Sequence, residues 1–334
     1  MNKVLITGAT GFIGSHLVEK NLKEGNHVRI LALPDDPVAR EYETRGIEVI
    51  YGDIRDNSQV ERSVKGVDIV FHLAAVVTDW APKELFVQVN IHGTRNVCEA
   101  SLRNKVDRLV EVSTNDVFGI KEDVIIDETF DYDYWREPYA DTKLEATKIV
   151  DDYSRRGLPV SIVYPCWVYG PGDLTFVPLI ADAIRNKELI FWRRDVIVWP
   201  AYIENLIDLL MVISKHPGAV GQGFLMHDGV SDTFRNFSAK IAESIGEKIP
   251  KIHIPYWTAY TVSCLMEYTW KSLRKKSRPL LTKYTVKNLG SRVKYSIDKA
   301  ERLLDWVPPI SYEVGFNKTM EWLKKTDPAL WKQK

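Results

Sequence analysis

Tyr139 and Lys143 are the pair of side chains whose types and spacing most directly suggest chemistry. They stand four residues apart in a stretch of helical spacing that opens after Glu137-Pro138, so both lie on one face of the predicted helix. A tyrosine hydroxyl has a reference pKa near ~10 and is a poor base at neutral pH, but a neighbouring ammonium favours the phenolate. The pair could therefore move a proton to or from a substrate oxygen. The spacing is common, and an ordinary helix surface is the alternative.

A glycine-rich turn near the N-terminus is suited to hold a dinucleotide. It runs Thr7-Gly8-Ala9-Thr10-Gly11-Phe12-Ile13-Gly14, after the first predicted strand and at the start of the first predicted helix. Glycine allows a tight turn, and a helix N-terminus offers free N–H groups to a pyrophosphate. The predicted contacts are Gly8, Thr10, Gly11, Phe12, Ile13 and Gly14. The Gly-x-x-Gly-x-x-Gly spacing departs by one residue from the standard fingerprint, and a plain strand-to-helix turn is the alternative.

Short β-branched runs alternate with helical stretches through the first half of the chain. The predicted strands are 4–7, 28–33, 49–51, 69–73, 109–113 and 160–164, and helical spacing covers 13–23, 85–104 and 139–156. This alternation predicts a parallel sheet buried on both faces, and hence a doubly wound α/β fold of the Rossmann type. We expect residues 1–165 to form a nucleotide-binding domain to which 195–225 returns, and 166–334 to form mainly a smaller substrate-binding region.

The composition limits the classes to which the chain can belong. Its 334 residues carry 45 Lys and Arg against 45 Asp and Glu, so no overall field attracts nucleic acid, and we expect no such partner. The three cysteines are too few and too scattered for a disulfide framework, and no His or Cys cluster predicts a metal. The sequence shows neither a signal-peptide pattern nor a run of the ~18 apolar residues that cross a bilayer, so we expect a cytoplasmic protein.

Further motifs follow the glycine turn in a fixed order. They read Gly52-Asp53-Ile54-Arg55-Asp56, His72-Leu73-Ala74-Ala75 and Asn90-Ile91-His92-Gly93-Thr94. Together they resemble the extended short-chain dehydrogenase/reductase superfamily, which includes NAD-dependent epimerases and dehydratases. The resemblance implies cofactor contacts at Asp53, Ile54, Leu73, Ala74, Ala75, Asn90 and Pro165. It places Asp53 and Ile54 against the adenine and Pro165 on the nicotinamide side.

The resemblance also supplies a third hydroxyl. The fifth predicted strand ends in Val112-Ser113-Thr114-Asn115-Asp116-Val117-Phe118-Gly119, and alignment of Gly119 with the Val-Tyr-Gly of the superfamily assigns this hydroxyl to Thr114. Tyr139 is then the general acid and base, Lys143 modulates its pKa and binds the ribose, and Thr114 donates to the substrate oxygen. Ser113 is a further expected cofactor contact. Hydride would pass between the nicotinamide and a carbinol carbon.

The end of the second predicted strand indicates NAD rather than NADP. NAD enzymes place an acidic residue here against the ribose diol, whereas NADP enzymes place an Arg near the 2′-phosphate. The sequence has Ala32-Leu33-Pro34-Asp35-Asp36 and no base before Arg40. These carboxylates would leave a 2′-phosphate poorly compensated. We therefore expect NAD, with Asp35 as a contact, and NADP stays the alternative.

Residues near Thr114 and at 198–206 separate the activities of the superfamily. Sugar dehydratases carry an Asp and a Glu where this chain has Asn115 and Asp116, and an amide cannot serve as the acid, so dehydration is disfavoured. Nucleotide-sugar enzymes commonly have an Arg for the substrate phosphates, and 198–206 has none, although Arg193-Arg194-Asp195 lies just before it. A nucleotide-sugar epimerase stays the alternative enzyme, and a catalytically silent NAD-sensing protein is the alternative outside enzymes.

Tryptophan is abundant, with ten residues in the chain. Five of them fall on segments predicted to face the substrate: Trp80, Trp135, Trp167, Trp192 and Trp199. Core packing explains any one of them, but together they indicate a large apolar or ring-shaped substrate. These tryptophans, together with the absence of an Arg at 198–206, resemble the pattern of the 3-beta-hydroxysteroid dehydrogenase and dihydroflavonol 4-reductase branch. We therefore expect reversible oxidation of a secondary alcohol on a hydrophobic, steroid-like or polycyclic substrate.

The segment 255–278 is aromatic and apolar through Trp270 and basic after it. This pattern fits a peripheral membrane contact or a lid over an apolar pocket, and a buried helix with a solvated basic end is the alternative. The superfamily resemblance further implies a homodimer formed through the helices at 85–104 and 139–156.

Overall fold

A sheet of seven parallel strands forms the centre of the computed structural model, which describes residues 1–193, 196–275 and 277–331. The strands of the chain are β1 (Lys3–Thr7), β2 (His27–Ala32), β3 (Glu48–Tyr51), β4 (Ile69–His72), β5 (Arg108–Val112), β6 (Ile125–Ile126), β7 (Val160–Pro165), β8 (Trp167–Tyr169), β9 (Phe191–Trp192), β10 (Ile197–Val198), β11 (Pro200–Tyr202), β12 (Gln222–Met226), β13 (Asp232–Thr233), β14 (His253–Ile254) and β15 (Lys294–Tyr295).

The helices are α1 (Phe12–Lys23), α2 (Pro37–Thr44), α3 (Asn57–Val64), α4 (Lys83–Phe86), α5 (Thr94–Arg103), α6 (Pro138–Arg155), α7 (Val177–Arg185), α8 (Ile203–Lys215), α9 (Phe234–Ser244), α10 (Tyr256–Ser272), α11 (Lys283–Asn288), α12 (Asp298–Leu304) and α13 (Tyr312–Lys325). Short 3-10 turns cover Asn115–Phe118, Pro217–Ala219 and Pro328–Trp331, and a π-helical stretch, Val87–Gly93, joins α4 to α5.

The central sheet has the strand order β12-β7-β5-β4-β1-β2-β3, and all neighbouring pairs are parallel. The order runs outward in both directions from β1 and β4, so the connections after these two strands leave on opposite sides of the sheet. Such a switch point opens a crevice at the carboxyl ends of the strands, where ligands bind in folds of this kind. The predicted doubly wound α/β fold is confirmed, and six of the seven strands match those expected from the sequence.

Apolar residues on both faces of the sheet explain why its strands read as nearly continuous apolar runs. Val4 and Ile6 of β1 belong to one core, and Leu5 between them belongs to the other. Helices α1 and α8 cover the first face, and α3, α5 and α6 cover the second. Each strand is thereby shielded from water on both sides, as parallel strands usually are.

The chain after β7 is divided between the central sheet and its carboxyl edge. Helix α8 and strand β12 return to the sheet, while the remaining strands form two-stranded ladders, namely β8 with β11, β9 with β14, β10 with β13 and β6 with β15. A domain boundary near residue 165 stays a prediction, because β12 carries later chain back into the same sheet. Within the described residues, no helix is long and apolar enough to cross a membrane.

A buried ion pair fixes α6 to the sheet. The Lys143 ammonium lies 3.0 Å from Glu111 Oε1 and donates to the Val112 carbonyl oxygen at 2.9 Å. Both side chains are almost completely buried, so little water reaches the two charges. One turn further along, Thr147 Oγ1 lies 2.7 Å from Ser113 Oγ. These contacts lock the rotation of α6 about its axis relative to β5.

We expect Glu111→Gln to lower the free energy of unfolding by about 3 to 5 kcal/mol, because the change leaves the Lys143 ammonium buried without a carboxylate. Glu99→Gln is the matched control, since Glu99 pairs with Arg103 at 2.8 Å on the surface, where an ion pair contributes at most about 1 kcal/mol. Urea unfolding followed by circular dichroism measures both variants. An equal loss in the two would contradict the role of the buried pair.

Candidate active site

The glycine turn after β1 is pressed against two neighbouring segments. Gly8 has φ +69°, and a Cβ atom there would lie 2.8 Å from the Ala74 backbone nitrogen. A Cβ atom at Gly14 would lie 2.1 Å from the Gly8 carbonyl oxygen. Only glycine fits at these two positions. The backbone of the turn, from Gly8 to Gly14, therefore forms a narrow cleft, which we call the glycine cradle.

The cradle ends at the N-terminus of α1. Gly11 is the N-cap and provides no side-chain hydrogen bond, so the backbone N–H groups of Phe12, Ile13 and Gly14 lack a capping acceptor. Such groups and the helix dipole favour a phosphate. The turn therefore fits a dinucleotide pyrophosphate. The residues that would hold it are the predicted contacts Gly8, Thr10, Gly11, Phe12, Ile13 and Gly14.

The turn after β4 is built from the side chain of Thr7. Thr7 Oγ1 accepts hydrogen bonds from the backbone nitrogens of Leu73 and Ala74, at 3.2 and 3.3 Å. One side of the turn is therefore tied directly to the end of β1. The predicted cofactor contacts of Leu73, Ala74 and Ala75 thus lie next to the glycine turn, and they stay predictions.

Asn90 braces the same loop from the helical side. Its Oδ1 accepts from the Val76 backbone nitrogen at 2.7 Å, and its Nδ2 donates to Thr142 Oγ1 at 3.2 Å. Both ends of the amide are thus engaged within the protein, between the loop and α6. The structure gives Asn90 a positioning role, and its direct contact with the cofactor stays a prediction.

Asp53 and Ile54 follow β3, at the end of the crevice expected to take the adenine. The Asp53 carboxylate accepts from the Arg55 guanidinium at 2.6 and 2.9 Å, and these bonds lower the pKa of Asp53. Ile54 is buried against Gly93, where a Cβ atom would lie 2.5 Å from Ile54 Cδ1. A contact of either residue with adenine stays a prediction.

The two carboxylates after β2 are used differently. Asp36 caps α2, because its side chain accepts from the backbone nitrogens of Val38 and Ala39 at 2.9 and 3.3 Å. Asp35 is exposed and forms no hydrogen bond or ion pair with a described residue. Its carboxylate is therefore free to meet a ribose diol, whereas Asp36 is committed to the helix.

Tyr139 and Thr114 lie together, as the sequence predicts. Tyr139 is the second residue of α6, and Thr114 caps the 3-10 turn after β5 by accepting from the Asp116 backbone nitrogen at 3.3 Å. Burial raises the pKa of Tyr139, the Asp116 carboxylate raises it further, and a hydrogen bond from the Thr114 hydroxyl lowers it. Tyr139 therefore keeps its proton at neutral pH in this arrangement, which suits donation to a substrate oxygen.

Lys143 lies one turn further along α6, but its ammonium contacts Glu111 instead of the Tyr139 hydroxyl. The reason is electrostatic, because a carboxylate buried in β5 requires a cation beside it. Lys143 was predicted to modulate the pKa of Tyr139, but its ammonium makes no direct contact with the Tyr139 hydroxyl in this structure. The contact of Lys143 with the ribose stays a prediction. Sequence analysis missed Glu111, although a carboxylate inside an apolar strand is itself a signal for a buried partner.

Tyr284 of α11 reaches the site from the C-terminal half of the chain, and sequence analysis gave it no role. Its hydroxyl donates to Asp116 Oδ2 at 2.7 Å. Its ring stands edge-on to the Tyr139 ring, with centroids 5.8 Å apart, and packs against Trp135. Burial raises the pKa of Asp116 to about 6, while the bond from Tyr284 lowers it. Asp116 is therefore the site carboxylate whose pKa lies close to neutral pH.

A small cavity lies beside these residues, with a volume of about 10 Å³ that holds about one water molecule. It is lined by Asn115, Asp116, Trp135, Trp167, Ile197, Trp199, Asn288, Ser291, Val293 and Tyr295. Three of the five tryptophans that the sequence assigned to the substrate are among them. Of the other two, Trp192 is buried in β9 and Trp80 lies against the Lys271 ammonium. No Lys, Arg or His stands among the described lining residues.

Pro165 ends β7 and so stands at the carboxyl edge of the sheet with the other site residues. Tyr164, the residue before Pro165, is buried. Its hydroxyl lies 2.8 Å from the Tyr132 hydroxyl, and its ring packs edge-on against Phe118 with centroids 5.0 Å apart. Tyr164 therefore fills the core and offers no charge to a substrate.

Comparison with known proteins agrees with this geometry. The model of the NAD dependent epimerase/dehydratase family matches residues 4–223. The 2-alkyl-3-oxoalkanoate reductase of Stenotrophomonas maltophilia (strain K279a) is 29% identical over 325 residues, which cover 95% of this chain and 98% of that protein. The 3-beta-hydroxysteroid dehydrogenase of Mycolicibacterium neoaurum is 27% identical over 331 residues, which cover 94% and 89%.

Solved structures support the fold. The dTDP-glucose 4,6-dehydratase DesIV from Streptomyces venezuelae, solved with NAD bound, superposes with a TM-score of 0.78 at 22% identity, and the match covers 97% of both chains. At this identity the likeness shows the fold alone.

A parallel sheet with a glycine cradle at its switch point, and with Thr114 and Tyr139 at the same edge, defines a nucleotide-dependent oxidoreductase of the short-chain type. The chain belongs to the NAD dependent epimerase/dehydratase family. NAD is therefore its cofactor, and the prediction of an NAD-dependent dehydrogenase or reductase is confirmed at this level. The roles of the individual residues stay predictions.

We expect Gly14→Ala to destabilise the fold, because its Cβ atom would overlap the Gly8 carbonyl oxygen, and to abolish NAD binding with it. Gly11→Ala is the matched control for stability, since its Cβ atom would approach no described atom outside its chain neighbours closer than 3.4 Å. We expect that variant to melt near the wild-type temperature but to bind NAD at least about tenfold more weakly. Thermal melting and calorimetric titration with NAD measure the two effects, and unchanged NAD affinity of Gly11→Ala would contradict the pyrophosphate site.

We expect Asp116 to make stability depend on pH. Its pKa is about 6 in the folded protein, above the ordinary value of 3.8 for a solvated aspartate. The folded state therefore binds the extra proton between these values and loses stability as the pH rises through them. Asp116→Asn should remove this penalty and raise stability by about 1 to 3 kcal/mol at about pH 7.5, with almost no gain at about pH 4. Thermal melting across this range checks it, and a gain independent of pH, or one equal to that of the exposed control Asp131→Asn, would contradict it.

Proposed function

We propose that this enzyme interconverts a secondary alcohol and a ketone on a hydrophobic, steroid-like or polycyclic substrate. One observation carries the proposal. The cavity that begins at Asn115 and Asp116, directly after Thr114, is walled by Trp135, Trp167 and Trp199 and has no cationic side chain among its described lining residues. Tryptophan faces pack well on fused rings, whereas a diphosphate needs cations.

The proton transfer follows from the positions of the hydroxyl groups. In the reducing direction the Tyr139 hydroxyl donates its proton to the substrate oxygen, and the Thr114 hydroxyl holds that oxygen by a hydrogen bond. A bound nicotinamide would supply the hydride chemistry at the carbinol carbon, as acceptor in the oxidised form and as donor in the reduced form. The raised pKa of Tyr139 keeps the proton on the hydroxyl, where it is available for this donation.

A substrate of several rings needs more room than the cavity offers, so we propose that α11 moves outward to admit it. Helix α11 is held both by apolar packing of Val286 and the Tyr284 ring and by polar contacts. Lys287 pairs with Glu137 at 2.6 Å, and Tyr284 donates to Asp116 at 2.7 Å. Hydrogen bonds of this kind exchange with water when a segment opens, which lowers the cost of the movement.

The nucleotide-sugar epimerase is the alternative for the same fold. Its substrate phosphates need a basic group, for which Arg193-Arg194-Asp195 is the candidate stretch. Arg193 is exposed, and Arg194 and Asp195 lie outside the described residues. We retain NAD over NADP in the proposal, since the free carboxylate of Asp35 would repel a 2′-phosphate. We also propose a homodimer through the outer sides of α5 and α6, and a cytoplasmic location, in keeping with three free cysteines.

Turnover of hydroxysteroids and flavanonols with NAD, compared with UDP-sugars and dTDP-sugars, tests the proposal. We expect turnover only with the first panel, measured as net NADH formation. Sugar nucleotides are followed by chromatography of the sugar product, because an epimerase returns its hydride and leaves no net NADH. Tyr139→Phe should lower this turnover by at least about a hundredfold, because the proton-transferring hydroxyl is lost, while NAD affinity stays nearly unchanged.

Tyr134→Phe is the control for this experiment, since Tyr134 precedes the same helix but is half exposed. It should keep almost full activity. Turnover of sugar nucleotides alone, or an active Tyr139→Phe variant, would overturn the proposal. Cofactor binding without turnover of either panel would favour the catalytically silent protein.

A further inference from the structure

Helix α10 has the reverse of the amphipathic pattern found on an ordinary surface helix. Its buried line is small or polar and consists of Ala259, Ser263 and Glu267. Its outward side instead carries large apolar and aromatic residues, with Trp257 at 70%, Leu265 at 62% and Tyr268 at 73% exposure. Isolated exposed apolar residues are common on proteins, but a row of them along one helix marks an interaction surface.

No charge interrupts this outward side. From Tyr256 through Trp270 the one charged residue is Glu267, and it is buried. Its carboxylate accepts from the Lys283 backbone nitrogen at 2.7 Å and pairs with the Lys271 ammonium at 3.4 Å. The uncharged surface follows a helix of 17 residues, or roughly 25 Å.

Positive charge gathers at the C-terminal end of α10. Arg274 and Lys275 are exposed and form no ion pair with a described residue. Around them the sequence from Lys248 to Ile297 has eleven Lys and Arg against the single acid Glu267, in a chain whose formal net charge is zero. The charge balance of the whole protein therefore conceals one strongly basic segment.

We propose that the outward side of α10 docks on an anionic lipid bilayer. Trp257, Leu265 and Tyr268 would enter the boundary between headgroups and acyl chains, where tryptophan and tyrosine are favoured. The cations at 274 and 275 would meet anionic headgroups, each adding to the attraction. A second copy of the chain suits this surface less well, because its α10 presents the same uncharged side and no acid for the cations.

This docking deepens the proposed function and rests on it for the source of the substrate. The buried Glu267 ties α10 to the first residue of α11, and α11 carries Tyr284 to Asp116 beside the cavity. A bilayer seated on α10 therefore lies next to the helix that must move for substrate to enter. Apolar alcohols and ketones partition into the same bilayer. The enzyme would thus take its substrate from the membrane.

Sedimentation of the full chain with vesicles tests the docking. We expect binding to vesicles of phosphatidylcholine and phosphatidylglycerol in equal parts, and at least about tenfold weaker binding to phosphatidylcholine alone. The triple variant Trp257→Ser, Leu265→Ser, Tyr268→Ser should lose binding to both. The double variant Arg274→Glu, Lys275→Glu should lose most of the preference for the anionic vesicles.

The matched control is Leu303→Ser, Val307→Ser, Val314→Ser, which removes three exposed apolar residues from α12, α13 and the loop between them. It should bind like the wild type. Absence of vesicle binding, or equal loss in the control, would overturn the proposal. So would a wild-type oligomer that the α10 triple variant converts to monomer without any vesicle binding, because the partner would then be a second copy. Turnover of a water-soluble alcohol without vesicles reports on the proposed function separately.

Discussion

The pairing of Lys143 with Glu111 is the constraint on which the arrangement of the site depends. A carboxylate inside a parallel sheet has no access to water, so its charge has to be met by a cation from the covering helix. That requirement sets the rotation of α6 and its position along β5. Tyr139, one turn earlier on the same helix, is thereby placed beside Thr114, just after the end of β5.

Close backbone packing supplies the second constraint, on the other side of the crevice. Gly8 and Gly14 allow β1, the turn after β4 and the start of α1 to approach within distances that no side chain permits. The glycine turn therefore follows β1 and Thr114 follows β5, on the two sides of β4 at the carboxyl edge of the sheet, where Tyr139 of α6 joins them. The later part of the chain, which brings Tyr284 and the tryptophans, then encloses the space above that edge.

Local patterns in the sequence were enough to predict the sheet and the glycine turn, because each depends on spacing within one element or on the order of parallel strands. They also assigned Tyr139 and Thr114 to one site, where the structure places the two side chains close together, while their catalytic roles stay predictions. Glu111 was missed because the run 109–113 was taken as an apolar strand, although it contains a charge. Tyr284 was missed for a different reason. Its approach to Asp116 joins residues 168 positions apart through a segment without periodic signal, and only tertiary packing decides such a contact. Trp192 likewise stands in the core, because β9 pairs with β14 and buries it.

The division of labour between Asp35 and Asp36 has a consequence for how this enzyme can evolve. Asp36 is bound to the fold as a helix cap, and losing a cap costs about 1 kcal/mol. The Asp35 side chain is exposed and forms no hydrogen bond or ion pair with a described residue, so the fold depends little on its identity. Selection, or a protein engineer, can therefore change position 35, the predicted ribose contact, with little loss of stability, while position 36 keeps the neighbouring helix in place. Of these two adjacent acids, Asp35 is therefore open to substitution, whereas Asp36 is needed to cap α2.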